Sequence, residues 1–239
     1  MGVQGSNLRP WHDSGVVRSV RFPILDALDD DERRVVLGEA RRRRFAGGEV
    51  VFHAGDPADT LHLISTGRVL VRRSSPTGEM AILAFLGPGE FFGELALLGR
   101  DPPLARNATV QAVEQTETLS IRADRFAEIR RHRPGVDRFL VELLAARVSA
   151  LDDLLVEALL VPAETRVLRR LLAVADHFAA DSSGVTTVPL SQDQLASIAG
   201  TSRATANRAL RTAATAGLLR LARSRIEILD REGLGRRAG

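Results

Sequence analysis

Cysteine is absent from the 239 residues. That rules out disulfides, thiolate metal sites and cysteine-bound iron–sulfur clusters, and with them a secreted disulfide scaffold or a thiol redox sensor. Lysine and tyrosine are missing too, so all 33 basic residues are arginine, which reads as the bias of a GC-rich genome rather than selection for guanidinium chemistry. No stretch approaches the roughly 18 apolar residues of a membrane span, and the N-terminal segment lacks the apolar centre of a signal peptide. A cytoplasmic chain with no membrane partner is expected. The formal myristoylation match of Met1-Gly2-Val3-Gln4-Gly5-Ser6 is short enough to arise by chance. A net charge of +3 permits an anionic partner without requiring one.

With 44% hydrophobic residues the chain can bury a sizeable core, in one large domain or two small ones. Residues 1–20 mix Gly, Ser, Asn, Pro and Arg without an apolar period and read as a flexible arm. A helix is expected from about Asp29 to Arg41, with Val35, Val36 and Leu37 apolar. The run Arg41-Arg42-Arg43-Arg44 reads as a solvated helix end and strand entry rather than a nucleic-acid patch. From Phe45 to Ile121 short apolar runs alternate with Gly- and Pro-containing turns. Val50–His53, Leu61–Ser65, Val69–Arg73, Ala81–Leu86, Val110–Ala112 and Leu119–Ile121 are expected strands, with Pro76-Thr77-Gly78 among the turns. Such spacing suggests a β-sandwich or barrel with room for a small ligand.

Within it, Gly93-Glu94-Leu95-Ala96 and Arg106-Asn107 place an acid and a base around a Gly-rich turn. A carboxylate suits a ribose hydroxyl, and a guanidinium with nearby backbone N–H groups suits a phosphodiester, which together describe a cyclic nucleotide. Gly93 would let the backbone come close.

Pro134 closes the β region. Val141, Leu144, Val148, Leu151, Leu155 and Ala158 then recur every three or four residues, the a/d seam of a long helix, read as a parallel dimer helix. Pro162 interrupts it. A second domain follows, with a helix from about Ala163 to Ala180 and a strand near Val185–Val188. Ser191-Gln192-Asp193-Gln194 has the form of a capping box. Gly200-Thr201 makes a tight turn, Ser202 caps a second helix carrying Arg203, Thr205, Asn207 and Arg208, and Leu218–Leu221 with Arg225–Leu229 makes a hairpin. Helix, turn, arginine-bearing helix and hairpin describe a winged helix-turn-helix.

Gly48–Val69, Gly93-Glu94-Leu95-Ala96-Leu97 with Arg106, and Ser202-Arg203 with Thr205 and Arg208 together resemble the Crp/Fnr family of bacterial transcription regulators, over about residues 22–230. The resemblance implies an α+β chain: an arm (1–20), a jelly-roll-like cyclic-nucleotide-binding β-barrel (21–134), a dimerisation helix (135–161) and a winged helix-turn-helix (162–239). It implies a homodimer reading palindromic double-stranded DNA under control of a cyclic nucleotide, cyclic AMP first and cyclic GMP second, with RNA polymerase as a further partner. The effector set is then Gly93, Glu94, Leu95, Ala96, Arg106, Asn107, Leu151 and Asp152, and the DNA set Ser191, Gln192, Ser202, Arg203, Thr205, Asn207 and Arg208. Four positions depart from the cyclic-AMP-responsive members. Asn107 stands for a hydroxyl residue, Leu151 and Asp152 stand where hydroxyls hold the purine, and Ala204 replaces an acidic base reader. The loop between Glu94 and Arg106 carries Pro102-Pro103, which would shift Arg106.

Three alternatives stay open: a different effector, effector-independent DNA binding, or a nucleotide-binding module acting through protein contacts. An enzyme is not expected. His12, His53, His62, His132 and His177 are scattered, with no metal spacing and no nucleophile-and-base constellation.

Overall fold

A computed structural model describes residues 20–74, 80–98, 104–133 and 135–239. The expectations for residues 1–19, for the turn at Pro76-Thr77-Gly78, for Pro102-Pro103 and for Pro134 lie outside the described residues. The chain divides into two compact units, residues up to 71 with 86–148, and residues 72–85 with 149–239.

The β-rich part contains α1 (Asp30–Gly38), β1 (Arg41–Phe45), β2 (Val50–Phe52), β3 (Thr60–Thr66), β4 (Val69–Ser74), β5 (Met80–Leu86), β6 (Phe91–Phe92), a 3-10 turn Glu94–Leu98, β7 (Thr109–Ala112), β8 (Thr116–Arg122) and α2 (Ala123–His132). The strands form two four-stranded sheets, ordered β1-β8-β3-β6 and β2-β7-β4-β5. β3 lies between β8 and β6 and is buried along most of its length, the polar His62 and Ser65 included. Phe126 of α2 tilts against Phe139 with ring centroids 6.0 Å apart, in a core that also takes Leu61, Leu63, Ile121 and Val136.

The arginine run corrects one expectation. The helix stops at Gly38, and Arg41–Arg44 is strand, the edge of its sheet, paired antiparallel with β8 so that Arg44 faces Glu117. Glu117 takes Arg42 at 3.2 Å and Arg44 at 2.8 Å. One carboxylate across the ladder accounts for two arginines on one face. The start of α1 is as the sequence suggests, a capping box of Asp29 and Glu32. α2 has no counterpart among the expected elements; only Phe126 and Ile129 of its ten residues are buried, too few to mark a period.

α3 (Gly135–Leu160) carries two apolar faces. Val136, Phe139, Leu140 and Leu143 are buried, whereas Val141, Val148, Leu151 and Leu155 are each more than half exposed. The second unit continues with α4 (Ala163–Ala175), β9 (Thr186–Val188), α5 (Gln192–Ile198), α6 (Arg203–Thr215), β10 (Leu219–Ala222), β11 (Arg225–Ile228) and α7 (Arg231–Ala238). Pro162 is the residue before α4, where its missing N–H costs nothing. α4 ends five residues before the expected Ala180, because His177 and Phe178 turn back onto the carbonyls of Val174 and Ala175. A three-stranded antiparallel sheet, β10-β11-β9, backs the helices. α7 was not expected; Asp230 caps it by accepting from Gly233 N at 2.8 Å, in a Gly- and Arg-rich stretch of weak helical propensity.

Candidate functional site

β6 ends at Phe92, and Gly93 turns the chain with φ +83°. A Cβ there would lie 2.7 Å from both Thr60 O and Arg106 Nη1. Glycine is therefore required twice, by the dihedral and by the guanidinium packed against it. Arg106 reaches inward to β3. Nη1 donates to Thr60 O at 2.8 Å and to Gly93 O at 3.5 Å, while Nη2 donates to Thr60 Oγ1 at 2.7 Å and to Asp59 Oδ1 at 3.1 Å. The guanidinium lies 4.0 Å from the Phe52 ring centroid, a cation–π contact. Its side chain is 4% exposed, yet Nε is buried without a hydrogen-bond partner. Burial pushes the guanidinium pKa down, and Asp59, Asp56 and Glu94 pull it back up; the group stays a cation. A buried cation with one donor unspent suits an anionic ligand.

Glu94 opens the 3-10 turn and is buried, with Oε1 3.6 Å from Arg147 Nε on α3. Gly93, Glu94, Leu95, Arg106, Asn107 and Arg147 line one pocket of about 480 Å3, partly continuous with solvent. Phe52, Val71, Leu86 and Phe91 give it an apolar wall. Apolar walls with a few polar groups that fix orientation are the make-up of small-ligand sites.

Five of the eight residues expected around an effector thus come together. Ala96 is buried but absent from the lining, and Leu151 and Asp152 are exposed on α3 and also absent from it. Sequence reasoning missed Arg147, one of two arginines in α3, set between Ala146 and Val148. It also missed the roles of Asp59 and Thr60, which lie within the Gly48–Val69 resemblance but were not singled out.

In the second unit the expected capping box forms: Ser191 Oγ accepts from Gln194 N at 3.2 Å and Gln194 Oε1 accepts from Ser191 N at 2.9 Å. Gly200 turns the chain with φ +58°, and Ser202 caps α6 by accepting from Thr205 N at 3.2 Å. Gln192 is joined to Asn207 by a hydrogen bond. Arg203 and Arg208 are exposed, each beside an acid: Arg203 lies 3.0 Å from Asp193 and Arg208 2.5 Å from Glu164. A shallow groove beside α6 is lined by Asn207, Arg208, Arg211, Thr212 and Arg237. Arg211 and Arg237 are cations the sequence reading did not single out. The β10–β11 hairpin turns at Ser224, φ +59°, next to Arg223. Its shape is that of a wing.

Among the described residues no group of His, Asp or Glu could hold a metal ion, and no helix is long and apolar enough to cross a membrane.

Residues 42–133 match the cyclic nucleotide-binding domain, and residues 165–237 match the Crp-like helix-turn-helix domain. The chain is 31% identical over 196 residues to a CRP-like cAMP-activated global transcriptional regulator of Mycobacterium tuberculosis, covering 81% of this chain and 86% of that one. It is 33% identical over 211 residues to the cyclic AMP receptor protein of Thermus thermophilus, covering 87% and 93%. The solved structure of the c-di-GMP responsive global regulator CLP of Xanthomonas campestris superposes with a TM-score of 0.69 at 23% identity, over 84% of this chain and 99% of that one, a likeness of fold. Family and fold are those of transcription regulators, not enzymes. A nucleotide-binding β domain and a helix-turn-helix, matched in that order with relatives aligned over most of their length, make this chain a member of the Crp/Fnr family.

Proposed function

We propose that the chain is a homodimeric, DNA-binding transcription regulator whose affinity for a palindromic operator is set by a cyclic nucleotide, cyclic AMP first, in the Glu94–Arg106 pocket. The observation that carries this reading is the buried Arg106 with its unpartnered Nε in one pocket with a buried carboxylate. Arg106 takes the cyclic phosphate, aided by backbone N–H groups of the Gly93 turn and by Asn107. Glu94 accepts from the ribose 2′-hydroxyl. Both curated relatives described above are named for cyclic AMP.

The domain roles follow the boundaries read from the sequence: sensory domain 21–134, dimer helix 135–161, DNA-binding domain 162–239. The exposed apolar face of α3, Val141, Val148, Leu151 and Leu155, buries against the same face of a second copy. A ribose hydroxyl arriving at Glu94 competes with Arg147 for its carboxylate and so biases α3. Two recognition helices, one per protomer, then read major grooves one helical turn apart. Arg203 and Arg208 contact bases or phosphates once they leave Asp193 and Glu164. Ser191, Gln192, Ser202, Thr205 and Asn207 contact the backbone beside them, and RNA polymerase is the partner of the DNA-bound form.

Calorimetry of the purified chain with cyclic AMP, cyclic GMP and cyclic di-GMP, repeated with Arg106→Ala and Glu94→Ala, tests the pocket. Saturable binding by the wild type and its loss in both variants is expected. Failure of all three nucleotides to bind, or unchanged binding by the variants, overturns it. A different effector is the second reading, favoured by the identities of Leu151 and Asp152, which offer the purine none of the hydroxyl partners of the cyclic-AMP-responsive members.

A further inference from the structure

A polar ring lies buried in the middle of β3. His62 is 4% exposed, its imidazole stacked on Phe92 with ring planes 3° apart and centroids 4.9 Å apart. Phe45 and Phe52 tilt against it at 6.2 Å. Leucine or phenylalanine would fill such a position at no polar cost, whereas an imidazole there needs both nitrogens satisfied. Both are: Nδ1 is 3.0 Å from Thr118 Oγ1 and Nε2 is 3.2 Å from Thr60 Oγ1. Burial first, and then Arg106 and Arg43, hold the imidazole pKa down at about 3, so the ring is neutral and carries one N–H.

Thr60 Oγ1 is the junction. It accepts from Arg106 Nη2 at 2.7 Å, and its own proton has two destinations, His62 Nε2 and Asp59 Oδ1 at 3.1 Å. Asp59 is 59% exposed on its side chain and shares its oxygens with water, while His62 is enclosed. The chain Thr118–His62–Thr60–Arg106 thus runs from the sheet interior to the pocket cation. With both Nη atoms engaged on Thr60, Gly93 and Asp59, Nε–H is the one guanidinium donor without a partner.

We propose that His62, acting through the Thr60 hydroxyl, is a positioning residue for Arg106: it fixes the guanidinium orientation and thereby selects which exocyclic oxygen of a cyclic phosphate the cation engages. This rests on the cyclic-nucleotide reading of the pocket for its consequence, though the orientation itself needs no ligand. His62 does not touch the ligand.

Three variants of the full chain separate positioning from packing. His62→Phe keeps an aromatic ring on Phe92 and removes both nitrogens, Thr60→Val keeps the shape and removes the hydroxyl, and Thr60→Ser restores the hydroxyl. Melting curves establish folding, and should His62→Phe fail to fold, Thr60→Val carries the test alone. In the ligand-free protein the Arg106 Nε–Hε NMR resonance, assigned by its loss in Arg106→Ala, is expected to shift and exchange faster with solvent in His62→Phe and Thr60→Val. Thr60→Ser is expected to return it. An unmoved resonance overturns the proposal whatever binds the pocket. With ligand, the Kd for cyclic AMP rises about tenfold in the two disrupting variants, the scale of one hydrogen bond to a charged group. The preference between the Rp and Sp phosphorothioates of cyclic AMP falls toward one. Weaker cyclic AMP binding with an unchanged Rp/Sp preference marks a packing effect and overturns the proposal. If the wild type binds no cyclic nucleotide, the reading of the pocket falls, and the Arg106 resonance still decides the positioning role.

Discussion

Arg147 Nε on α3 stands 3.6 Å from Glu94 Oε1 in the 3-10 turn, a contact between the pocket carboxylate and the long helix. Because the Glu94 side chain is only 12% exposed, removing its cation leaves a carboxylate poorly solvated. Arg147→Met is expected to lower unfolding stability by about 1 to 3 kcal/mol, read by urea denaturation. Glu94→Gln in the same background should recover most of that loss, and failure to recover would show the pair contributes nothing.

Gly93→Ala should be more damaging than an ordinary loop substitution. Its φ of +83° and the 2.7 Å approach of the new Cβ to Thr60 O and Arg106 Nη1 strain the backbone and displace the cation together. A loss of about 1 to 3 kcal/mol is expected from the dihedral alone, and cyclic AMP binding should disappear before the fold does. Calorimetry and thermal melting on the same sample check both.

His62 makes stability depend on pH. Its folded pKa is held at about 3, below the 6.5 of an unperturbed histidine. Below pH 6.5 the unfolded chain therefore binds a proton that the folded chain refuses. Its contribution is complete above pH 6.5 and falls as pH drops toward 3, by up to about 1.4 kcal/mol per pH unit. Acidic groups titrate in part of that window, so the measured quantity is the difference between wild type and His62→Phe, which should have the shallower slope from pH 6.5 to 4.

Asp193 of α5 holds Arg203 of α6 at 3.0 Å, with both side chains more than half exposed. Asp193→Asn should raise DNA affinity, since a phosphate no longer competes with a carboxylate for that guanidinium. Arg203→Ala should cost roughly 1 to 3 kcal/mol of base discrimination. Arg237→Ala should weaken operator and scrambled DNA equally and flatten the salt dependence by about one unit. Fluorescence anisotropy across a salt series measures all three.

The uncovered apolar face of α3 predicts self-association. Leu155→Arg places a charge on a residue that is 57% exposed in the chain alone and that occurs twice across a symmetric interface. Losing two leucine burials, about 3 kcal/mol together, should weaken dimerisation on the order of a hundredfold, visible by sedimentation equilibrium. An unchanged association constant would place the interface elsewhere.

The helix-turn-helix was legible because capping chemistry is local: Ser191 with Gln194, Gly200, and Ser202 with Thr205 announce themselves within four residues. β2, β3, β4, β5, β7 and part of β8 were legible from apolar runs bounded by turn residues, whereas the two-residue β6 was not. Arg41–Arg44 was not, because what makes it a strand is its ladder with β8, more than seventy residues away. The Gly93, Glu94 and Arg106 half of the pocket carried a motif. Arg147 carried none, and Thr60 and His62, though inside the Gly48–Val69 resemblance, showed no role there, since a histidine between leucines looks like surface decoration until its burial is known.

That same arginine strand has a bearing on how the protein survives at high concentration. β1 is a sheet edge, and an unguarded edge offers its free N–H and C=O groups to any passing strand. Four successive exposed guanidiniums along it repel a second copy approaching edge to edge, which discourages sheet-to-sheet aggregation.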